Sequence, residues 1–344
     1  MPLSDQQREQ QLKDAEELLF WGPQALGFAK GLFFGRFKGS LLFPYPEIRS
    51  EERATVDQAV FAVRRFIEEK LDPAAIDRNA DIPPEIIRGL AELGVLGMTA
   101  PKEYGGRGLS QLGYCRIMEL IGGRCASTAV FVNAHHSIGI RGLLLFGTED
   151  QKRRWLPPLV SGQQLAAFAL TEPEAGSDAA NVQTTATPTP DGTAYILNGE
   201  KRYITNGAIA QVLTVMARTP VAASPGGHSG GDTKVTAFLV TPDMPGFEVT
   251  EARMEKCGIR GTATSRLAFH NMRVPAENVL GQVGKGLRVA LTVLDFGRTT
   301  FGASCTGAAK TCLRAAVRHA KSRVQFQQTL SEFELVKKKI AYTA

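Results

Sequence analysis

The sequence predicts an α+β fold in which a helical domain, a central β-barrel or β-sandwich domain and a second helical segment follow one another. Apolar residues recur at helical spacing up to about residue 162, and short alternating or apolar runs between turn residues begin at Ala166. Helical spacing returns after Asn278. A chain of 344 residues also exceeds what one hydrophobic core usually fills, so several packed units are expected. We assign residues 1–46 to an N-terminal arm, 47–164 to the N-terminal helical domain, 165–281 to the central β-domain and 282–344 to the first part of a C-terminal helical domain.

The N-terminal arm differs in amino-acid composition from the rest of the chain. Residues 18–45 mix aromatic residues with Lys30, Arg36 and Lys38, which suits a segment that touches a membrane surface or a partner. An arm that packs over the main core is the simpler interpretation. The acidic residues at the start argue against a secretory signal or a transit peptide, and no run of eighteen apolar residues indicates a membrane span. We therefore expect a cytoplasmic protein in a bacterium, or a mitochondrial matrix protein in a eukaryote.

The first helical domain is predicted from segments with apolar stripes and clear stops. One such stripe consists of Val56, Ala59, Val60, Val63 and Ile67, and Asp72-Pro73 ends it. Pro83-Pro84 starts the next helix. The predicted helices are 51–69, 83–93, 111–121, 128–146 and 149–159.

The central domain is predicted from short strands separated by turn residues. Asn198–Lys201 has the composition of a hairpin turn between two of them, and the glycine-rich residues 221–232 indicate a flexible surface loop. The predicted strands are 194–197, 202–205, 212–217, 235–240 and 266–269. Beyond this domain we expect helices over 287–324 and 330–341, with close helix packing at Gly297, Gly302 and Gly307.

Composition and charge limit the classes of function. The net charge of +6 suits a polyanionic ligand such as a dinucleotide, coenzyme A or a nucleic acid. Lys and Arg are scattered except at Lys337–Lys339 and no nucleic-acid-binding signature is present, so nucleic-acid binding is not expected. The five cysteines have no metal-ligand spacing and their odd number argues against a disulfide framework, which indicates a reducing compartment. The histidines form no metal-binding array, so no metal site is expected.

The most informative stretch is Phe168–Gly207. An apolar run stops abruptly at the polar loop Thr171–Asp178, whose backbone N–H groups and hydroxyls could hold a phosphate or the polar edge of a heterocycle. The same residue types also make an ordinary connection between strands. Near its end, Tyr203 and Thr205 place an aromatic ring and a hydroxyl on one face at the period of a strand.

The motifs TEPEAGSD (171–178) and NGEKRYITNG (198–207), in this order and at this spacing, resemble the acyl-CoA dehydrogenase family of flavoenzymes. The resemblance implies an acyl-CoA dehydrogenase-like fold, FAD as cofactor and an acyl-CoA substrate. Tyr203 stands where that family usually has Trp, which should preserve stacking over a different area. Ser177 is also implied beside the acyl-CoA chain. By position, the residues implied to line the flavin are Phe168, Leu170, Thr171, Gly176, Ser177, Tyr203 and Thr205.

Two further segments extend the resemblance. Leu294–Arg298 is similar to a signature that implies contacts from Asp295 and Arg298 to coenzyme A, although an Asp–Arg pair three residues apart is often only a solvated helix pair. Arg323 and Phe326 resemble an element through which one subunit reaches the FAD of its neighbour, which implies a homodimer or homotetramer. Gln327 replaces the usual Gly of that element, so the backbone there could differ.

The segments 28–46 and 134–148 are most similar to the branch of the family that acts on very long acyl chains. Ala129 and Asn133, four residues apart on one helical face, fall where that branch has small residues that deepen the acyl pocket. Ala129 fits a deep pocket and Asn133 fits it less well. The resemblance therefore implies a long-chain acyl-CoA, with an electron-transfer flavoprotein as acceptor. That branch touches the membrane through an additional C-terminal region that these 344 residues lack, so a peripheral membrane contact is kept only as an alternative.

The catalytic base expected from the resemblance is absent. Most members of the family have a Glu in a Tyr/Phe-Glu-Gly-Thr motif, which this sequence lacks, and a minority branch has a Glu at the position of Gly297. We therefore assign no catalytic residue, and expect a C-terminally truncated chain that is inactive alone. Two alternatives stay open: a non-catalytic interaction or assembly protein on the same scaffold, and a related flavin oxidase or monooxygenase.

Overall fold

The computed structural model describes residues 27–33, 35–221 and 233–344. It divides into two units, residues 1–48 and residues 49–344. In the first unit, helix α1 (Phe28–Phe33) is followed by a 3-10 turn, Gly39–Leu41, and the ring of Phe43 meets that of Tyr45 edge to face at 4.7 Å. Most of the predicted arm and nearly all of the predicted loop at 221–232 lie outside the described residues.

Residues 49–160 form the helical part of the second unit. Its longest helix buries the predicted stripe of Val56, Ala59, Val63 and Ile67. The Asp72 side chain caps the next helix by accepting from two backbone N–H groups. The helices are α2 (Ser50–Lys70), α3 (Pro73–Asn79), α4 (Pro84–Glu92), α5 (Gln111–Arg124), α6 (Ala126–Val132), α7 (Arg141–Phe146) and α8 (Glu149–Val160).

The segment predicted as one helix over 128–146 is not a regular α-helix. Between α6 and α7 it contains a seven-residue π-helical segment, Asn133–Gly139. Local sequence does not distinguish the two helix types, and the wider turn is held by side-chain contacts to other elements. By length and composition Ala126–Phe146 could cross a membrane, but 67% of its apolar window is buried, as in a core helix of a folded domain.

Two buried histidines anchor the π-helical segment, and the first of them connects the helical part to the sheet. His135 Nδ1 accepts from the Ala166 N–H at 3.0 Å, so its Nε2 donates to the Leu159 carbonyl at 3.1 Å. His136 has the opposite arrangement, because its Nε2 accepts from the Thr99 N–H and its Nδ1 faces the Leu96 carbonyl at 3.0 Å. Burial lowers the pKa of His135 to about 4 and that of His136 well below its usual value, which keeps both rings neutral.

An eight-stranded mixed sheet forms the central part. Its strands are β1 (Ala166–Ala169), β2 (Thr185–Pro188), β3 (Ala194–Thr205), β4 (Val212–Pro220), β5 (Thr233–Val240), β6 (Phe247–Glu251), β7 (Thr264–Pro275) and β8 (Val279–Leu280). The strand order is β6-β7-β3-β2-β4-β5-β8, and β1 pairs in parallel with β4. Apolar residues on both faces fill two core clusters, one of which also contains helical residues such as Trp155 and Val293.

The hairpin predicted at Asn198–Lys201 is wrong, because β3 runs without interruption through these residues. The Asn-Gly pair instead accommodates a β-bulge, where the pairing with β7 shifts register between Leu197 and Gly199. Gly199 has φ +146°, and a Cβ there would lie 2.6 Å from Thr184 Oγ1. The site therefore requires glycine for a bulge and a close approach rather than for a turn.

The C-terminal part is dominated by α9 (Gly286–Ser322), which packs against α5. A Cβ at Gly307 would overlap the Glu119 carbonyl oxygen, and one at Gly297 would lie 2.6 Å from Ile138 Cγ2, as the predicted close packing requires. The prediction is wrong at Gly302, where a Cβ would meet nothing within 4 Å. After α9 come the paired strands β9 (Val324–Gln325) and β10 (Gln328–Thr329), and then α10 (Glu334–Thr343).

Candidate functional site

The loop Thr171–Asp178 leaves the sheet where the buried strand β1 ends. Phe168 and Leu170 pack into the core cluster shared by the sheet and α9. The first turn of the loop is closed by hydrogen bonds between the backbones of Glu172 and Ala175, at 2.9 and 3.3 Å. Beyond this turn Gly176 and Ser177 are exposed. A Cβ on Gly176 would meet nothing within 4 Å, so this part of the loop has open space beside its backbone.

The second half of β3 brings an exposed aromatic ring beside this loop. The Arg202 N–H donates to the Thr171 carbonyl at 2.9 Å, which joins strand and loop directly. Tyr203 follows in a second bulge, between Lys201 and Ile204, with φ +60° and a side chain that is 55% exposed. The Arg202 guanidinium lies 4.6 Å from the Tyr203 ring centroid.

Burial alternates along the end of this strand. Ile204 is 2% exposed, whereas Tyr203 is exposed and Thr205 is half-buried. Tyr203 and Thr205 are therefore the more accessible residues at this end of β3.

A buried ion pair, which the sequence motifs did not reveal, underlies the loop and the strand. Lys201 Nζ lies 2.6 Å from Glu172 Oε1, and the side chains are 0% and 2% exposed. Burial lowers the pKa of Lys201 to about 8. Burial also acts to raise the pKa of Glu172, but Lys201 and hydrogen bonds from Gln183 and Thr184 leave that pKa below its usual value. The sequence signal for this ion pair is that Glu172 lies in the motif 171–178 and Lys201 lies in the motif 198–207.

Asp295 and Arg298 form an exposed pair on α9. Arg298 Nη1 lies 2.8 Å from Asp295 Oδ1, and both side chains are more than half exposed. The neighbouring Phe296 packs under the buried Arg141 guanidinium, 4.4 Å from the ring centroid. The pair can thus be approached from solvent while its helix turn is fixed from the other side.

Ala129 and Asn133 are both close to other parts of the fold. Ala129 is 2% exposed. Asn133 Nδ2 donates to the Gly297 carbonyl at 3.3 Å, and Asn133 Oδ1 accepts from the Thr300 hydroxyl. Asn133 therefore bridges the π-helical segment and α9 instead of leaving open space between them.

Arg323 and Phe326 are not brought to the loop Thr171–Asp178. They belong to the hairpin at the far end of α9, a helix of 37 residues, which is about 55 Å long. Phe326 and Gln327 form the two-residue turn of this hairpin with φ values of +51° and +65°, so Gln327 takes the backbone region that favours glycine. The Phe326 side chain is 87% exposed.

A metal site has no support in the part of the chain that the structure describes. Within it, no group of three or more His, Cys, Asp or Glu side chains is placed to hold a metal ion.

Three family models match consecutive parts of the chain. They are the acyl-CoA dehydrogenase N-terminal domain over residues 52–163, the middle domain over 167–272 and the C-terminal domain over 284–344. The very long-chain specific acyl-CoA dehydrogenase of Mus musculus is 41% identical over 323 residues, which are 93% of this chain and 49% of that protein. The chain thus spans about half the length of the curated relatives it matches.

Solved structures agree with this relationship. The butyryl-CoA dehydrogenase of Megasphaera elsdenii is 36% identical with a TM-score of 0.76, over 84% of this chain and 74% of that one. An acyl-CoA dehydrogenase of Bacillus anthracis complexed with FAD is 33% identical with a TM-score of 0.75, over 86% of this chain and 50% of that one. The fold class predicted from the sequence is confirmed by these structures.

Proposed function

The chain belongs to the acyl-CoA dehydrogenase family, and from this premise we propose that it serves the FAD-dependent dehydrogenation of a fatty acyl-CoA to its trans-2-enoyl-CoA. The observation that carries the proposal is the hydrogen bond from Arg202 to Thr171. It joins the open loop Thr171–Asp178 to the exposed ring of Tyr203 in a fold shared with an FAD-containing structure.

The residues present suit a flavin. Tyr203 is more than half exposed and has a positive φ at a bulge, and such strained backbone is often found at ligand sites. Beside it, Arg202 Nε is buried and has no hydrogen-bond acceptor among the described residues. The open space beside Gly176 and the exposed Ser177 could admit the polar tail of a dinucleotide.

FAD supplies the acceptor for the β-hydride when it is bound. Phe168 and Leu170 exclude water from the inner side of the site, while Thr171, Gly176 and Ser177 offer the loop backbone and hydroxyls for polar contacts. Tyr203 stacks on an aromatic ligand, and Thr205 offers its hydroxyl at the ring's edge. We propose that Ser177 also contacts the acyl-CoA chain.

Substrate binding is proposed to use the exposed Asp295–Arg298 pair. An Arg that can be approached from solvent suits the phosphates of coenzyme A, and the adjacent Asp fixes its orientation. We propose a long acyl chain, in keeping with the relative that matches at 41% identity and with the buried Ala129. Asn133 would then limit how deep the chain reaches.

Removal of the α-proton needs a carboxylate that position 297 cannot supply. Gly297 has no side chain, and Ile138 occupies the space that one would need. We propose that a Glu outside these 344 residues acts as the base. We further propose a homodimer or homotetramer in which the exposed Phe326 and Arg323 meet a neighbouring subunit, and an electron-transfer flavoprotein as acceptor.

Titration of the purified chain with FAD, followed by addition of palmitoyl-CoA without oxygen, tests this function. We expect FAD binding, quenching of flavin fluorescence, and no bleaching of the yellow flavin band until a segment with the missing Glu is added. Failure to bind FAD would overturn the proposal. Rapid bleaching by palmitoyl-CoA would overturn the assignment of the base, and hydrogen peroxide production in air would favour the oxidase alternative.

A further inference from the structure

The buried Glu172–Lys201 pair joins four stretches of backbone at one point. Lys201 Nζ donates to Glu172 Oε1 at 2.6 Å and to the Leu170 carbonyl at 3.1 Å. Glu172 Oε1 also accepts from the Thr184 N–H at 3.0 Å, and its other oxygen accepts from the Gln183 N–H. The end of β1, the loop, the start of β2 and the middle of β3 are thereby held together.

Stability alone is a weak reason for such a pair. Two charges removed from water need excellent geometry to offset their desolvation, and an apolar pair of similar size is often at least as stable. A buried pair does, however, allow one arrangement of its surroundings and penalise the others. The question is therefore which geometry this pair fixes.

The pair lies between the two segments proposed to line FAD. Lys201 pairs with Leu267 of β7. It is the last residue of β3 in this register before the second bulge begins. The next residue, Arg202, bonds to Thr171, and the one after it is Tyr203. Any change in the Lys201–Glu172 distance would therefore move the ring of Tyr203 relative to the loop.

We infer that Glu172 and Lys201 are positioning residues for FAD, which preset the distance between the loop Thr171–Asp178 and the ring of Tyr203 before the flavin binds. The inference rests on the proposed function, since it assumes that these two segments face FAD. The carboxylate and the ammonium are both buried, so they act through the loop and the bulge and do not themselves touch the ligand.

The test compares FAD affinity with the stability of the FAD-free protein. Glu172→Gln keeps one carbonyl oxygen, which can accept from either the Gln183 or the Thr184 N–H group but not from both. The double variant Glu172→Gln with Lys201→Met removes both charges at similar volume. We expect the dissociation constant for FAD to rise about tenfold or more in the double variant. We also expect its urea midpoint without FAD to fall only slightly, because removing both charges together offsets the hydrogen bonds that are lost.

A control is the Lys310–Glu119 pair, which has the same 2.6 Å separation but is partly exposed and joins α9 to α5. Lys310→Met with Glu119→Gln should leave FAD affinity unchanged. Equal FAD affinity in the Glu172/Lys201 double variant and the unaltered protein would overturn the inference while the proposed function stands. Failure of the unaltered protein to bind FAD would instead overturn the proposed function.

Hydrogen exchange of the unaltered protein keeps the inference testable if the variants fail to fold. The amides of Gln183, Thr184 and Arg202 should exchange slowly before FAD is added, because their acceptors are already in place. Fast exchange that becomes slow only with FAD would show that the geometry is not preset, and would overturn the inference.

Discussion

The side-chain amide of Asn133 donates to the backbone carbonyl of Gly297 at 3.3 Å and so links the π-helical segment to α9. The carbonyl oxygen of the same amide accepts from Thr300, whose hydroxyl also lies 2.9 Å from Ser137 Oγ. Ser137 in turn donates to the Tyr114 hydroxyl at 3.2 Å. Buried hydroxyls in such a chain depend on one another for acceptors, so one substitution should affect the whole network.

Asn133→Ala should lower the free energy of unfolding by about 1–3 kcal/mol, because it leaves the Thr300 hydroxyl and the Gly297 carbonyl with fewer partners. Urea denaturation measures the change. Thr300→Ser keeps the hydroxyl and serves as the control. An Asn133→Ala protein as stable as the unaltered one would show that the bridge contributes nothing.

Two glycines of α9 should respond to alanine in opposite directions. Gly302→Ala has open space around its Cβ and should stabilise the helix by about 0.5–1 kcal/mol. Gly307→Ala should destabilise the protein by more than it gains in helix propensity, because its Cβ would overlap the Glu119 carbonyl oxygen. Thermal unfolding of both variants measures the two effects. Similar changes in the unfolding temperature would contradict the close contact between α5 and α9.

Acid should destabilise the fold through His135 and His136. Both pKa values are lowered in the folded protein, and for His135 the unfolded chain binds a proton that the folded chain does not between pH 6.5 and about 4. The unfolding free energy then falls as the pH falls, by about 2 kcal/mol for His135 between pH 7 and pH 5, and His136 contributes in the same direction. Urea titrations at both pH values measure this slope. His136→Gln should remove its share of the slope, and an unchanged slope would contradict the assignment.

Tyr203 should contribute to FAD affinity through its ring. Tyr203→Ala is expected to raise the dissociation constant for FAD about tenfold through lost stacking, whereas Tyr203→Phe and Tyr203→Trp keep a ring and should bind nearly as well. Flavin fluorescence quenching measures all three. If Tyr203→Ala binds FAD as tightly as Tyr203→Phe, the ring does not contact the flavin.

The helices could be predicted because their signals are local and periodic. The predicted helix 51–69 differs from α2 by one residue at each end, since the apolar stripe and the Asp72-Pro73 stop both lie within the segment. The extended strand β3 could not be predicted, because Asn-Gly suits a hairpin turn and a bulge equally well and only the pairing partner decides between them.

The candidate site shows the same difference between features with a local sequence signal and features that depend on distant residues. The motifs named the loop and Tyr203, whereas the Glu172–Lys201 contact joins residues 29 apart in sequence and required the fold. The hydrogen bonds of Asn133 likewise depend on α9, more than 160 residues further along the chain. Sequence patterns therefore located the exposed residues of the candidate site more readily than the buried contacts that hold them in place.

Strand β3 consists in effect of two short strands in series, joined at Gly199. Its first half, Tyr195–Asn198, pairs with β2 on one side and β7 on the other, whereas in its second half the backbone of Arg202 bonds to the loop instead of to β2. Substitutions in the two halves should therefore have different effects on stability and on ligand binding. A substitution in the first half disturbs the sheet interior and weakens the whole fold, whereas one at the exposed Tyr203 in the second half leaves a folded protein with an altered ligand surface.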